Sequence, residues 1–287
     1  MKKQGLVLWA CIQYKSMEGG KKMFVVKIGG SDKIDYDSFL QDLVQHKNFV
    51  LVHGGSDELD RLSNALGHKP KFVESVSGYT SRATDEKTME LFQMAYVGKM
   101  NSMIVSKLQK LGVNAVGLSG ISGRIFEAKR KDSIKIIENG KKMVLHGDLT
   151  GKVEKVNVQL IKMLLEGGYL PVLTPPAISH DNYAVNVDGD RAAAIVAAAM
   201  NADELIIMSD VPGVLKDIND KGSLIKKIKF DEIDKVIKEF AKDRMKIKLL
   251  GAKEALQNGV KRVIIASASV KNPISEAYAG NATVIEM

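Results

Sequence analysis

A lysine at the end of an apolar run and just ahead of two glycines can meet an anionic ligand, and Lys27-Ile28-Gly29-Gly30-Ser31 has that form. Glycine lets backbone N–H groups approach an anion, and a helix N-terminus beyond the turn adds favourable partial charge. A second cluster, His53-Gly54-Gly55-Ser56, follows the next apolar run. Either cluster alone is explained by a strand-to-helix turn, which uses glycine anyway; two in successive units favour an anion cradle. Neither matches GxxxxGK[ST] or GxGxxG, which disfavours the nucleotide folds that carry those loops. Lys27 would point into the crevice where open α/β sheets bind ligands. A lysine snorkelling at a strand edge is the plainer alternative.

Further candidates are spread along the chain. Arg82, in Gly78-Tyr79-Thr80-Ser81-Arg82, has a planar fork suited to a carboxylate, though a surface ion pair would use it equally well. Asn186-Val187-Asp188-Gly189-Asp190-Arg191 opens an alanine-rich helix. An N-cap and a first-turn acid account for one aspartate and leave Asn186 and the other unexplained. Ser209-Asp210-Val211-Pro212-Gly213 follows an apolar run and alone is only a turn, and Lys246 and Lys248 look like solvated lysines. The histidines at 46, 53, 68, 146 and 180 show no metal-ligand spacing, and there is no GxSxG or cysteine nucleophile setting, so zinc and hydrolase chemistry drop out. His53 alone among them is expected near a phosphate.

The elements that would carry these groups alternate. MFVVKI, FVLVH, NAVGLS, YLPVLTP, ELIIMSD and RVIIAS read as buried strands, and residues 36–46, 56–66, 85–111, 157–166, 188–200 and 244–257 read as helices. That pattern predicts an α/β fold with a mainly parallel open sheet. Residues 123–151 break the pattern; short alternating runs around Asn139-Gly140 predict a projecting β-hairpin. At 287 residues, 45% hydrophobic and 26% charged, the chain can bury a full core. No run reaches the roughly 18 apolar residues of a membrane helix. The only cysteine is Cys11, so the body has no internal disulfide and a reducing, cytoplasmic setting is expected. Residues 1–22 read as an N-terminal extension, with Met17 and Met23 as alternative starts, and the ordered domain is expected over 23–287. The extension holds five lysines against Glu18, half of the net charge of +8. The modest remainder does not demand nucleic acid.

Taken in order, KIGGS, VHGGS, SRATD, NAVGLSG, GYLPVLTPP, NVDGD, SDVPGVL and RMKIK closely resemble the amino acid kinase family in its acetylglutamate kinase branch. The resemblance implies a three-layer αβα sandwich in two lobes, about 23–180 for substrate and 181–287 for nucleotide, and at least a homodimer. By motif position it implies that Lys27 and Lys248 stabilise the transferring phosphoryl group, with Asp190 organising both. It assigns Gly55, Ser56, Arg82 and Asn186 to substrate, and Gly29, Gly30, Ser209, Asp210 and Gly213 to ATP, which brings its own magnesium. HGGS in place of HGGG and SGYTSRATD in place of the NGLRVTD type resemble the branch members that act on aminoadipate or glutamate tethered to LysW, a small acidic carrier protein. The basic stretch 129–142, with Lys129, Arg130, Lys131, Lys141 and Lys142, would meet that carrier, although a solvated hairpin without a partner has the same charge. Thr80 and Ser81 lie where acceptor length would be set. Three functions stay open: a carrier-linked kinase, a conventional acetylglutamate kinase, and a catalytically silent sensor. Lys27→Ala is expected to lower turnover at least about 100-fold, as loss of one oxyanion donor does; near-normal steady-state turnover would remove Lys27 from the site.

Overall fold

Runs of consecutive apolar residues become strands buried on both faces, because a parallel sheet carries helices on each side. In the computed structural model, which describes residues 22–287 apart from 77, 79, 132 and 139, all six expected strands form. One eight-stranded sheet runs Lys227–Lys229, Ala282–Glu286, Arg262–Ser267, Glu204–Ser209, Phe24–Ile28, Phe49–His53, Leu170–Thr174, Ala115–Ser119. Of its neighbouring pairs only Arg262–Ser267 with Ala282–Glu286 is antiparallel. Phe24–Ile28 pairs with Phe49–His53 on one side and Glu204–Ser209 on the other, so the sheet passes residue 180 without a break. The expected N-terminal extension falls on residues outside the described ones, Lys22 excepted.

Alternation along the strands sorts the core into two layers. Val25, Val52, Leu205, Ile207, Val263 and Ile265 pack on one face against helices Val158–Glu166, Gly189–Ala199 and Asp243–Gln257. Phe24, Val26, Ile28, Leu51, Ile206 and Met208 pack on the other, against helices Tyr36–Leu43, Ser102–Lys110 and Pro273–Tyr278. The alanine-rich helix is small because it is sandwiched: Ala192, Ala193 and Ala197 are fully buried. Two helices, Ile233–Phe240 and Pro273–Tyr278, were not legible in the periodicity. The single helix expected over 85–111 is three segments: Glu86–Gln93, a π-helix Met94–Asn101, and Ser102–Lys110.

Two small sheets cover the C-terminal ends of the central strands. One has the order Thr80–Arg82, Phe72–Ser75, Ser133–Glu138, Lys141–His146; the other, Ala184–Val185, Ala177–Ser179, Phe126–Arg130, Gly151–Val156. The hairpin is therefore narrower than expected, formed by Ser133–Glu138 and Lys141–His146, and Lys129 and Arg130 belong to the other sheet. The reason is pairing: Lys129 and Arg130 lie opposite Lys152 and Gly151, not opposite the hairpin strands.

The two glycine clusters touch. A Cβ at Gly30 would lie 2.2 Å from the Gly55 nitrogen, so the loops after the first two strands press backbone against backbone. Gly30→Ala is expected to cost about 1–3 kcal/mol through this overpacking, read as a lower urea midpoint at unchanged m-value.

Candidate active site

Lys27 shares the face of Val25, which the helices Gly189–Ala199 and Asp243–Gln257 cover. Its Nζ lies 2.7 Å from Asp190 Oδ1. From the second of those helices Lys248 Nζ donates to Asp190 Oδ2 at 2.8 Å. The three side chains are 8%, 7% and 9% exposed in the order Lys27, Asp190, Lys248. Lys248 is therefore not a solvated lysine; it sits inside Asp243–Gln257, one carboxylate away from Lys27. Burial lowers the Lys27 ammonium below the ordinary lysine value; Lys248 pushes the same way and Asp190 opposes both. Burial would raise the Asp190 carboxyl, but the Lys248 and Lys27 charges overcome it and hold the group below the usual carboxylate range. Asp190 thus bonds both ammonium groups, and the Asp188 charge at the cap of the same helix acts on both from further off.

This trio opens on a cleft of about 1840 Å³ lined by both glycine loops and by Arg82, Asn186, Ser209, Asp210 and Gly213. All the residues read as catalytic, substrate-binding or nucleotide-binding thus lie along one cavity. On the first loop, the Tyr36 hydroxyl donates to the Gly29 carbonyl at 2.8 Å. Across the cleft, Ser209 Oγ donates to Asp210 Oδ1 at 3.1 Å, and the Val214 N–H just beyond Gly213 donates to Thr283 Oγ1 at 2.9 Å.

The opposite end of the cleft is built around a buried carboxylate that motif reading passed over. Asp148 accepts from the Thr84 N–H at 2.8 Å and the Thr150 N–H at 2.9 Å. Asn186 donates its Nδ2–H to Thr84 Oγ1 at 3.1 Å, and its backbone N–H bonds to the Leu149 carbonyl at 2.7 Å. Arg82 pairs with Asp60 and lies over the Phe72 ring, 4.8 Å to its centroid. Arg82 is thus held from two sides, while its buried Nη1 has no hydrogen-bond partner among the described residues. Thr150 Oγ1, also on the cleft wall, is in the same position. The polar run His146-Gly147-Asp148-Leu149-Thr150-Gly151, directly after the hairpin, was the available signal for Asp148 and Thr150.

His53 is a correction. It is fully exposed to neither solvent nor cleft: its relative exposure is 0%, and it does not line the cavity. As the terminal residue of Phe49–His53 it alternates with Leu51 onto the face opposite Lys27. Burial pushes its pKa down to about 4, with the Lys27 charge acting in the same direction. The basic stretch is also divided. Arg130 is engaged by Asp181 at 3.0 Å and lies over the Tyr183 ring, whereas Lys129, Lys131, Lys141 and Lys142 are exposed, Lys131 at the cleft edge. Among the described residues no group of three or more His, Cys, Asp or Glu is arranged to hold a metal ion, and no helix is long and apolar enough to cross a membrane.

The profile of the amino acid kinase family matches residues 22–267. The chain is 57% identical over 267 residues to a [LysW]-aminoadipate kinase of Deinococcus radiodurans, covering 92% of this chain and 91% of that one. It is 47% identical over 268 residues to the [LysW]-aminoadipate kinase of Thermus thermophilus, covering 92% and 100%. An acetylglutamate kinase of Methanococcus maripaludis is 35% identical, covering 88% and 86%. Among solved structures, N-acetylglutamate synthase from Neisseria gonorrhoeae superposes with a TM-score of 0.75 at 22% identity; 93% of this chain spans 59% of that longer protein. Carbamate kinase from Giardia lamblia gives 0.67 at 16% identity, covering 93% and 99%. These two likenesses are of fold.

Removing the Asp190 charge tests the trio. Asp190→Asn takes the bonded carboxylate from two buried ammonium groups, and a loss of about 3–5 kcal/mol in urea unfolding at neutral pH is expected. The folded-state pKa of Asp190 is depressed, so its contribution is present above the ordinary aspartate range and is lost as pH falls through the folded value. The stability gap between wild type and variant should therefore narrow in acid; a gap that is constant with pH would mean that Asp190 is not held as a carboxylate by the lysines.

Proposed function

Because the chain belongs to the amino acid kinase family, we propose that it transfers the γ-phosphoryl group of ATP to the side-chain carboxylate of aminoadipate, or of glutamate, carried on an acidic LysW-type protein. The observation that carries the chemistry is the buried Lys27–Asp190–Lys248 trio, two ammonium groups oriented by one carboxylate, opening on two glycine loops that meet backbone to backbone. The choice of acceptor is supported by the relatives at 57% and 47% identity, whose names specify the LysW-bound amino acid. The acyl phosphate formed would serve lysine biosynthesis, and arginine biosynthesis where glutamate is used.

A carboxylate, with an ordinary pKa near roughly 4, is already a nucleophile at neutral pH, so no general base is needed. Its oxygen forms the new bond to phosphorus while the bond to the bridging oxygen of ADP breaks and that oxygen keeps the electron pair. Negative charge spreads over the equatorial oxygens between the attacking and leaving groups, where Lys27 and Lys248 are oriented by Asp190 to meet it. Gly29 and Gly30 face the phosphates, with Ser209, Asp210 and Gly213 toward the rest of the nucleotide; magnesium enters with ATP. Gly55, Ser56, Asn186 and the unengaged Nη1 of Arg82 hold the amino acid. Residues 23–180 then act as the substrate lobe and 181–287 as the nucleotide lobe of a cytoplasmic homodimer. The exposed Lys129, Lys131, Lys141 and Lys142 steer the carrier, and Arg130, already engaged, contributes least.

Acetylglutamate kinase is the second reading, favoured by relatives of that name at 34–36% identity. A hydroxamate assay separates the two. Carrier-bound aminoadipate or glutamate should be phosphorylated, with acetylglutamate at least about tenfold lower in kcat/KM, equivalent to about 1.4 kcal/mol of lost carrier contacts. Carrier-free turnover of acetylglutamate at an equal kcat/KM selects the second reading.

A further inference from the structure

Beneath the second glycine loop, on the side away from the cleft, lies a buried polar chain that the proposed chemistry does not use. Asn101, the last residue of the π-helix Met94–Asn101, donates its Nδ2–H to the Val172 carbonyl at 3.0 Å and to His53 Nε2 at 3.0 Å. A carbonyl oxygen can only accept, so the Val172 contact fixes which end of the Asn101 amide faces both partners. His53 Nε2 must therefore present a lone pair. The ring proton is on Nδ1, which donates to the Gly54 carbonyl at 2.9 Å. Thr174 Oγ1 donates to the His53 carbonyl at 3.2 Å and closes the chain on the neighbouring strand. A low pKa of about 4, produced by burial and by the Lys27 charge, is consistent with this neutral ring.

The consequence falls on one peptide. The carbonyl of Gly54 is turned toward the His53 face, and a trans peptide places the following N–H on the opposite side. The Gly55 N–H is thereby turned away from His53, toward the Tyr96 hydroxyl, and Gly55, Ser56 and Tyr96 all line the cleft. The π-helix braces the same loop from its other side: a Cβ at Gly55 would meet Tyr96 at 3.0 Å and Met100 at 3.2 Å. π-turns concentrate at functional positions, and here one such segment supplies Tyr96, Met100 and Asn101 together. We infer that Asn101 is a positioning residue that, by holding His53 in its Nδ1–H form, fixes the Gly54–Gly55 peptide in the wall of the phosphotransfer cleft. This rests on the reading of Gly55 and Ser56 as part of the phosphotransfer site.

Asn101→Leu keeps the side-chain size and removes the donor. Its kcat with ATP and the carrier-bound acceptor should fall about 100-fold, the cost of misplacing a group by about 1 Å, while KM for ATP stays within about twofold. In nitrogen NMR of the imidazole, wild-type His53 should be the Nδ1–H form at neutral pH. In the variant that form should be lost and the Gly55 amide resonance should move. A wild-type ring protonated on Nε2, a variant kcat within about twofold of wild type, or a kcat loss with His53 and Gly55 resonances unmoved each overturns the inference. If Asn101→Leu fails to fold, the wild-type imidazole spectrum decides. Failure of the underlying reading looks different: Lys27→Ala would keep its turnover while the His53 spectrum stayed as expected.

Discussion

A carboxylate shared by two buried ammonium groups organises this protein. Asp190 reaches Lys27 at 2.7 Å and Lys248 at 2.8 Å, and none of the three side chains is more than 9% exposed. Removing such charges from water is costly unless they are mutually compensated, and here Asp190 bonds both ammonium groups while Asp188 acts on them from further off. The cluster presents two ammonium groups to the cleft. It also ties three distant elements together, since a central strand, the start of one helix and the middle of another must converge on a single point. Alanine along Gly189–Ala199 permits that convergence by letting backbone approach backbone, and it explains a composition that is otherwise odd for a helix.

The glycine loops answer a second constraint, which is close packing of backbone at the ends of adjacent parallel strands. Because Gly30 and Gly55 leave no room for side chains, the two loops form one continuous wall instead of two independent turns. Lys27 pairs in register with Val52, and His53 with Ile28, so Lys27 and His53 end up on opposite faces, one in the cleft and one beneath it. Both ends of the wall are governed by polar groups behind it, the Tyr36 hydroxyl under Gly29 and the Asn101–His53 pair under Gly54.

The Arg82 end of the cleft is held differently, by side-chain networks on short strands. Asp148 joins the segments of Thr84 and Thr150, Asn186 joins Thr84, and Asp60 with Phe72 fixes Arg82. The hairpin Ser133–Glu138 with Lys141–His146 continues the same small sheet outward and places the exposed Lys135 on the cavity wall.

The six central strands and their parallel order of burial were legible because a strand buried on both faces leaves an unbroken apolar run, and the glycine clusters because nothing else fits at such turns. The phosphotransferase reading and the roles suggested for Lys27, Arg82, Asp190 and Lys248 came from ordered motifs. By local sequence alone Lys248 was one lysine among many. The π-helix inside 94–101, the split of the basic stretch between two sheets, the role of Asp60, and the inward turn of His53 were invisible. Each depends on a partner far away in the chain. The sequence by itself determined which elements form and which residue types are present for phosphoryl transfer, since both follow from local periodicity and short motifs. Only the tertiary structure decided which charges share a carboxylate and which way a ring or peptide faces, because those are set by long-range pairing, strand alternation and the energetic cost of burying a polar group alone.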